Sequence, residues 1–286
     1  MEFIKENLIK SPLNYVGGKF KLLPQILPMF PDEVNMFVDL FSGGANVGIN
    51  VKAKKIICND TISEVIVFCK SCKDIDSVTM VNNIESLIEQ FQLSKTNQEG
   101  YLKLRELYNS GDKNWATFYT LVCYAFNNQI RFNSKGGYNM PFGKDRSSFN
   151  EKLKEKFIIF VNEMKKKNII FTNSDFRKLK TDTLSEGDYI YADPPYLITT
   201  ASYNENGGWS EKEEIALLGI LDSLNTKKVK FGLSNVLESK GKSNDILKEW
   251  SKKYNVHILD CHYGNCNYQR KDKTNQDNIE VFITNY

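Results

Sequence analysis

Asp193-Pro194-Pro195-Tyr196 places a carboxylate, a rigidly held main-chain carbonyl and an aromatic ring within four residues. Two consecutive prolines fix the backbone and remove two donors, so the segment leaves its strand extended and stiff. The Pro194 carbonyl then stands beside the Asp193 carboxylate, with the Tyr196 ring on the same arm. Two acceptors and a stacking face suit a planar group that carries an amine. A proline-stiffened strand end would also account for these residues. However, Asp188–Ala192 just before them reads as a buried strand, and loops at the carboxyl ends of such strands hold ligands.

Two further segments have the same placement. Asp39-Leu40-Phe41-Ser42-Gly43-Gly44-Ala45 follows an apolar run and is expected to open a helix. Glycines at such a turn let a backbone approach a ligand, and a helix N-terminus favours polar or anionic groups. Glycines at 43, 44 and 48 do not form the G-x-G-x-x-G fingerprint, and a plain tight turn fits as well. Asp60 ends Ile56-Ile57-Cys58-Asn59-Asp60, where a carboxylate grips ribose hydroxyls or caps the next helix.

The elements that must position these groups follow from periodicity. Seven runs have strand character: Met36–Phe41, Ile56–Cys58, Asn168–Phe171, Asp188–Ala192, Val229–Leu233, Val256–Cys261 and Ile279–Thr284. Helical spacing marks Ala45–Ala53, Ser63–Cys72, Ser210–Leu224 and Ser243–Tyr254. Alternating strands and helices imply a parallel sheet covered on both faces. The last two strands, with no helix between them, could pair antiparallel at an edge. From Asp60 to about Met164 the alternation stops: Val81–Phe91, Tyr101–Tyr108 and Trp115–Phe126 all look helical. An α/β domain from residues 1–60 and 165–286, with a helical insertion at 61–164, is expected.

The charge is uneven. Residues 128–180 hold 13 Lys/Arg against 5 Asp/Glu, and residues 240–273 hold 8 against 4, in a chain of net charge +3. The first stretch begins with Asn127, Asn128, Arg131, Phe132, Asn133, Tyr138, Asn139, Phe142, Lys144 and Arg146, broken by Gly136-Gly137, Pro141 and Gly143. That reads as a shaped hairpin suited to a polyanion, with cations for phosphates and Arg or amides for base edges. Lys152–Lys167 alone reads as a solvated helix face. The two basic stretches are expected on one face, around the Asp193 pocket.

Ordinary globular composition, with 41% hydrophobic and 26% charged residues, excludes disordered and fibrous classes. No apolar run approaches a membrane span and no secretory leader is visible, so the six cysteines are expected as reduced thiols in the cytoplasm. Cys69-Lys70-Ser71-Cys72 lacks a second pair, and Cys261, His262 and Cys266 make a poor metal set, so no metal is expected. Two histidines leave little room for His-based acid–base chemistry, and there is no Walker A pattern.

Together, the motifs resemble one family. Phe41-Ser42-Gly43-Gly44, a long insertion and Asp193-Pro194-Pro195-Tyr196, in that order, resemble the amino-methyltransferases of nucleic-acid bases. Tyr15-Val16-Gly17-Gly18-Lys19 is similar to the W-x-G-G-K signature of Dam-type DNA adenine methyltransferases (the alpha group, or D12 class). Asn173-Ser174-Asp175-Phe176, Asn127–Asn133, Gly137–Gly143 and the terminal Ile283–Tyr286 are similar to further motifs of that family. The resemblance runs from about residue 11 to the C-terminus.

The resemblance implies a Rossmann-like methyltransferase fold: a seven-stranded, mostly parallel sheet with an antiparallel last strand, plus an inserted, mainly helical target-recognition domain with a β-hairpin. It implies S-adenosylmethionine as methyl donor and no metal. Tyr15, Gly17, Gly18 and Lys19 would border its methionine end. Asp39, Phe41, Ser42, Gly43 and Gly44 would pass beneath it, and Asp60 would bind its ribose. Asp175 would accept from its adenine amine, with Phe176 against the ring. Asp193, Pro194, Pro195 and Tyr196 would hold the target adenine, flipped out of double-stranded DNA because the base cannot react inside the stack.

For DNA contact the resemblance points to Asn14, Asn128, Arg131, Asn133, Tyr138, Asn139, Pro141, Lys144 and Arg146. Arg131 is the first candidate for a guanine edge. Tyr268-Gln269-Arg270-Lys271 could touch phosphates or fill the gap left by a flipped base, or be a solvated loop. Asn14 and Asn128 replace the Lys and Gly of the GATC enzymes, which points to a different short site or relaxed specificity. A cognate restriction endonuclease is an expected functional partner. Methylation of cytosine or an RNA base, or DNA binding without catalysis, are the alternatives.

Overall fold

Successive side chains of the central strands point to opposite faces, and both faces are apolar, as a sheet covered on both sides requires. The computed structural model describes residues 8–14, 17–199, 208–260 and 278–286. In chain order the elements are α1 (Leu23–Ile26), β1 (Met36–Asp39), β2 (Lys55–Asn59), α2 (Ser63–Asp74), α3 (Ser77–Gln90), α4 (Gln98–Asn109), α5 (Trp115–Tyr124) and α6 (Glu151–Lys166). They continue with β3 (Ile169–Thr172), β4 (Tyr189–Ala192), α7 (Glu211–Thr226), β5 (Lys230–Ser239), β6 (Lys242–Ser243), α8 (Asp245–Ser251), β7 (Asn255–Ile258) and β8 (Asn278–Thr284).

The sheet order is β3-β2-β1-β4-β5-β8-β7, with β6 a short hairpin on β5. Strands β3, β2, β1, β4 and β5 run parallel, and β8 enters antiparallel between β5 and β7. The seven sequence runs thus correspond to seven of the eight strands of one sheet, and the last two, β7 and β8, pair antiparallel. In register, Val38 faces Ile57 on one side and Ile190 on the other.

The alternation sends each strand into two cores. Phe37, Tyr189 and Tyr191 face one, and Val38, Ile190 and Ala192 face the other. The second core is closed by α7 and α8 through Leu217, Leu221, Leu247 and Trp250. The first runs without a break from Phe37 and Ile56 into Phe68 of α2, Tyr119 of α5 and Phe157 and Phe160 of α6. The expected insertion therefore shares its core with the sheet. Its helices α3 to α6 each begin on an Asp or Asn cap (Asp76, Asn97, Asn114, Asn150) whose side chain accepts a first-turn amide. In α5 every residue from Ala116 to Tyr124 is buried, so it forms the insertion's central rod.

Three expectations change. Ala45–Ala53 is a series of turns, not a regular helix. Ala45 itself has φ 60°, outside the helical region, and i→i+4 bonds from Ile49 and Val51 are interrupted by an i→i+3 bond from Asn50. β5 continues past Leu233 to Ser239, through a bulge between Val236 and Glu238, because it pairs with β8 along that length. The basic hairpin is closed by isolated bridges, Ala125 with Phe142 and Phe132 with Tyr138, not by continuous strands.

Candidate functional site

β1 leads to β2 on one side, and β4 leads to β5 on the other, so the chain leaves the carboxyl ends of two adjacent strands in opposite directions. That switch point is where open α/β sheets bind ligands. Here it opens a cleft of about 450 Å³. The cleft is lined by Gly17, Gly18 and Lys19, by Asp39 and Phe41–Gly44 after β1, by Asp60 after β2, and by Asp193–Tyr196 after β4. Residues that the sequence scatters over 180 positions therefore meet in one place.

Backbone geometry places them. Gly43 takes φ 47° and donates its amide to Asp60 Oδ2 at 2.8 Å, while Ile62 N donates to Asp60 Oδ1 at 2.9 Å. Asp60 thus fixes the glycine turn and the start of α2 together. Gly44 is required by packing, since a Cβ there would lie 2.7 Å from Ser11 Oγ. Asn59, which the sequence reading passed over, ties three strand ends together. Its amide donates to Leu40 O at 3.1 Å and Ser174 O at 2.8 Å, and its Oδ1 accepts from Thr172 Oγ1 at 2.9 Å.

The electrostatics are anionic. Among the described lining residues, Lys19 is the one cation, facing Asp39, Asp60 and Asp193. Lys19 stands in the short turn Lys19–Lys21 and is 5% exposed. Its Nζ lies 2.8 Å from Asp193 Oδ1, 3.7 Å from Glu280 Oε1 and 4.8 Å from the centre of the Tyr196 ring. The Tyr196 hydroxyl donates toward Asp193 Oδ1 at 3.2 Å and Glu280 Oε1 at 3.1 Å. Burial pushes Asp193 up to about 6, Lys19 and the Tyr196 hydroxyl pull it down, and Glu280 adds a smaller upward push.

Asp39 is pushed well above the usual carboxylate range by burial, then by Asp193 and Asp60, with a small opposing pull from the Phe41 amide. Among the described residues, neither of its oxygens meets hydrogen-bond geometry, and neither does the buried Ser42 hydroxyl. Asp60 is raised by burial and held back by its amide donors. Unpartnered buried acceptors in an anionic cleft mark a place for a ligand that carries positive charge.

Asp175 and Phe176 stand beside this cleft, not on its lining. Asp175 is engaged by Arg177, with Nε 2.8 Å from Oδ1 and Nη2 2.6 Å from Oδ2, which holds its carboxyl below the usual range. The Phe176 ring packs 5.4 Å from Phe41 and 5.4 Å from Trp209. Trp209 closes that aromatic triangle, and its indole donates to the buried Glu214 at 2.8 Å. The sequence reading did not single out Trp209 or Glu280. For Glu280 the signal was present: a lone carboxylate in the apolar run Ile279–Thr284.

The basic hairpin is organised differently. Asn127 and Asn128 both adopt left-handed backbone, with φ 54° and 53°. The Asn128 amide caps α5 by donating to Cys123 O at 2.8 Å. Asn14 donates to Asn127 O at 2.7 Å, which joins the N-terminal segment to the hairpin. Arg131 is exposed, and its guanidinium bonds back to Asn139 Oδ1 at 2.9 Å and Asn139 O at 2.8 Å. Asn133 Oδ1 accepts from the Lys135 and Gly137 amides and shapes the tip.

Pro141 O accepts from Phe126 N, and Lys144 is exposed. Arg146 lies 4.9 Å over the Phe126 ring. Tyr138 requires a correction: at 1% exposure, with its hydroxyl donating to Gln129 O, it supports the hairpin from inside and presents no surface to a partner. Much of the basic excess beyond the hairpin is already engaged. Lys154 pairs with Glu85, Lys166 with Glu163, and Arg177 with Asp175 and Glu213.

Tyr15, Arg270 and Lys271, like Cys261, His262 and Cys266, lie outside the described residues. Cys69 and Cys72 are buried in the core beside the sheet. Among the described residues no cluster of His, Cys, Asp and Glu could hold a metal ion.

Comparison with known proteins gives this arrangement a context. The family model of the D12 class N6 adenine-specific DNA methyltransferases matches residues 15–264. The chain is 49% identical to Type II methyltransferase M.FokI of Planomicrobium okeanokoites and 45% identical to Modification methylase StsI of Streptococcus sanguinis. Each of these matches covers 97% of this chain and 43% of the relative, so the chain spans less than half the length of those two proteins. It is also 29% identical to Type II methyltransferase M1.LlaDCHI of Lactococcus lactis subsp. cremoris, over 100% of this chain and 99% of that protein.

Proposed function

The chain belongs to the D12 class N6 adenine-specific DNA methyltransferase family, and from that premise we propose that it methylates the exocyclic amine of an adenine flipped out of a short double-stranded DNA site. The methyl donor in this reading is S-adenosylmethionine. The observation that carries it is the Asp193–Tyr196 clamp at the mouth of an anionic cleft, held by Lys19 at the switch point of the sheet.

The residues present fit that cofactor. It carries an ammonium and a sulfonium, and the cleft offers Asp39, with both oxygens unpartnered, beside Asp60 and Asp193. Gly17, Gly18, Phe41, Ser42 and Gly43 would border it, and Asp60 would take its ribose hydroxyls. Tyr15 and the pair Asp175 and Phe176 belong to the same reading, the latter toward the cofactor's adenine. When bound, the cofactor supplies an electrophilic methyl group.

The chain's own residues do the rest. An adenine amine is a poor nucleophile because its lone pair is delocalised into the ring. Asp193 and the Pro194 carbonyl would each accept one of its hydrogens, which favours a pyramidal nitrogen with its lone pair turned outward. With Asp193 held at about 6, the carboxylate is ionised at neutral pH and opposes the positive charge that develops on the nitrogen. Pro195 stiffens the arm, and Tyr196 offers its face for stacking. Fixing this geometry in advance removes much of the orientation cost.

Target recognition falls to residues 61–164. There Arg131, Asn133, Asn139, Lys144 and Arg146, together with Asn14 and Asn128, would form the DNA-facing edge, joined by Arg270 and Lys271. A cytoplasmic location with access to DNA, and a cognate restriction endonuclease acting on the same site, complete the reading. No described helix is long and apolar enough to cross a membrane.

The test is transfer of labelled methyl groups from S-adenosylmethionine to unmethylated duplex DNA, with analysis of the product nucleosides. N6-methyladenine is expected. Asp193→Ala should reduce transfer by about 100-fold or more while cofactor affinity changes little. N4-methylcytosine, methylated RNA alone, or near-normal turnover of Asp193→Ala would overturn the reading.

A further inference from the structure

Glu280 lies on β8, the antiparallel strand added to the parallel sheet, 84 residues beyond Tyr196. Its neighbours Val281, Phe282 and Ile283 are fully buried, and Glu280 is itself 2% exposed. A carboxylate in such a strand costs stability unless it is compensated. The site itself supplies part of that compensation, since Oε1 accepts the Tyr196 hydroxyl at 3.1 Å and lies 3.7 Å from Lys19 Nζ. The same hydroxyl and the same ammonium also engage Asp193 Oδ1, at 3.2 and 2.8 Å. The two carboxylates therefore share one cation and one hydroxyl.

We propose that Glu280 is a positioning residue of the clamp. By sharing Lys19 and the Tyr196 hydroxyl with Asp193, it holds the ring and the ammonium in place beside the Asp193 carboxylate. It also sets a second carboxylate beside that pair in a buried site, where fixed charge acts most strongly. Glu280 acts through Lys19 and Tyr196 and need not touch the base. This inference rests on the methyltransferase reading and assigns it a residue outside the sequence motifs.

Among the described residues, the groups that face Asp193 are Lys19 from the N-terminal turn, Glu280 from β8, Tyr196 from its own loop, Tyr191 from β4 and Asp39 from β1. Of these, Glu280 pushes Asp193 up, whereas Lys19 and the Tyr196 hydroxyl pull it down. Removing the Glu280 charge should therefore move the acid limb of the transfer rate to lower pH. A residue that only supports the fold would leave that limb in place.

The experiment compares wild type, Glu280→Gln and Glu280→Ala in methyl transfer to duplex DNA across pH, with melting curves and S-adenosylmethionine affinity as checks on folding. Glu280→Gln keeps the shape and an acceptor for the hydroxyl but loses the charge. Its kcat is expected to fall about tenfold, with KM and cofactor affinity within about threefold, and its acid limb should move down. Glu280→Ala, which also loses the acceptor, should fall further. A Glu280→Gln profile that superposes on wild type overturns the proposal. If Glu280→Gln does not fold, Glu280→Asp carries the test: it keeps the carboxylate but shortens its reach to the Tyr196 hydroxyl and Lys19, so kcat should fall severalfold with cofactor affinity kept, and a kcat equal to wild type overturns the proposal. Failure of the methyltransferase reading is distinct, because wild type itself would then transfer nothing to DNA.

Discussion

The cleft at the strand ends and the hairpin between residues 125 and 146 treat their polar groups in opposite ways. In the cleft, buried carboxylates stand close together with one lysine among the described lining residues, and neither Asp39 side-chain oxygen meets hydrogen-bond geometry among those residues. In the hairpin, the exposed Arg131 bonds to the half-buried Asn139, and the exposed Asn133 bonds to the local backbone. The cleft leaves acceptors open, whereas the hairpin satisfies its own, so in the proposed reading a DNA partner would have to exchange the hairpin's bonds. Chemistry benefits from fixed, unsatisfied charge, because no reorganisation is needed when the ligand arrives. Sequence reading benefits from a surface that is stable when empty.

On the cleft side, Asp39→Asn should change both stability and cofactor binding. The raised value of Asp39 in the folded state means that its contribution to stability is present below its unfolded value and lost as pH rises. Neutralising it should stabilise the protein without cofactor, with a gap in melting temperature that widens from pH 5 to pH 8. The same change should weaken S-adenosylmethionine by about tenfold or more, as expected where function retains a costly charge. A variant that is less stable at pH 8, or that binds as tightly as wild type, would break the contrast.

Asn128 sharpens the hairpin side with a smaller effect. Its left-handed backbone favours Gly or Asn over other residues, and its amide caps α5. Asn128→Ala should cost about 1–2 kcal/mol in urea unfolding, and Asn128→Gly should cost less. The reverse order would show that the backbone conformation does not decide the residue.

The frame of the molecule was legible because its strands are short, apolar and buried on both faces, so each apolar run could hardly be anything else. The loops after β1, β2 and β4 could be read as candidate sites because they follow adjacent strand ends, although glycine and aspartate there also make plain turns and helix caps, as Asp60 does. Ala45–Ala53 misled because its apolar spacing is helical while Gly43 and Ala45 take left-handed backbone that periodicity does not report. Tyr138 misled because an aromatic residue in a polar hairpin can as well be its core. Glu280 was missed because only the pairing of β8 with β5 brings it to Lys19, and no local pattern encodes that pairing.

The division of labour between cleft and hairpin can be read in one measurement: single-molecule sequencing of DNA from methylation-deficient cells that express this chain, wild type beside Arg131→Ala. Wild type is expected to leave N6-methyladenine in one short recurring context. Arg131→Ala should leave the same base modified, with discrimination relaxed by about 1–3 kcal/mol at one position of that context. Absence of N6-methyladenine in the wild-type sample would contradict the chemistry assigned to the cleft. Uniformly weaker methylation with an unchanged context would contradict the reading of Arg131 as a base contact and make it a phosphate contact.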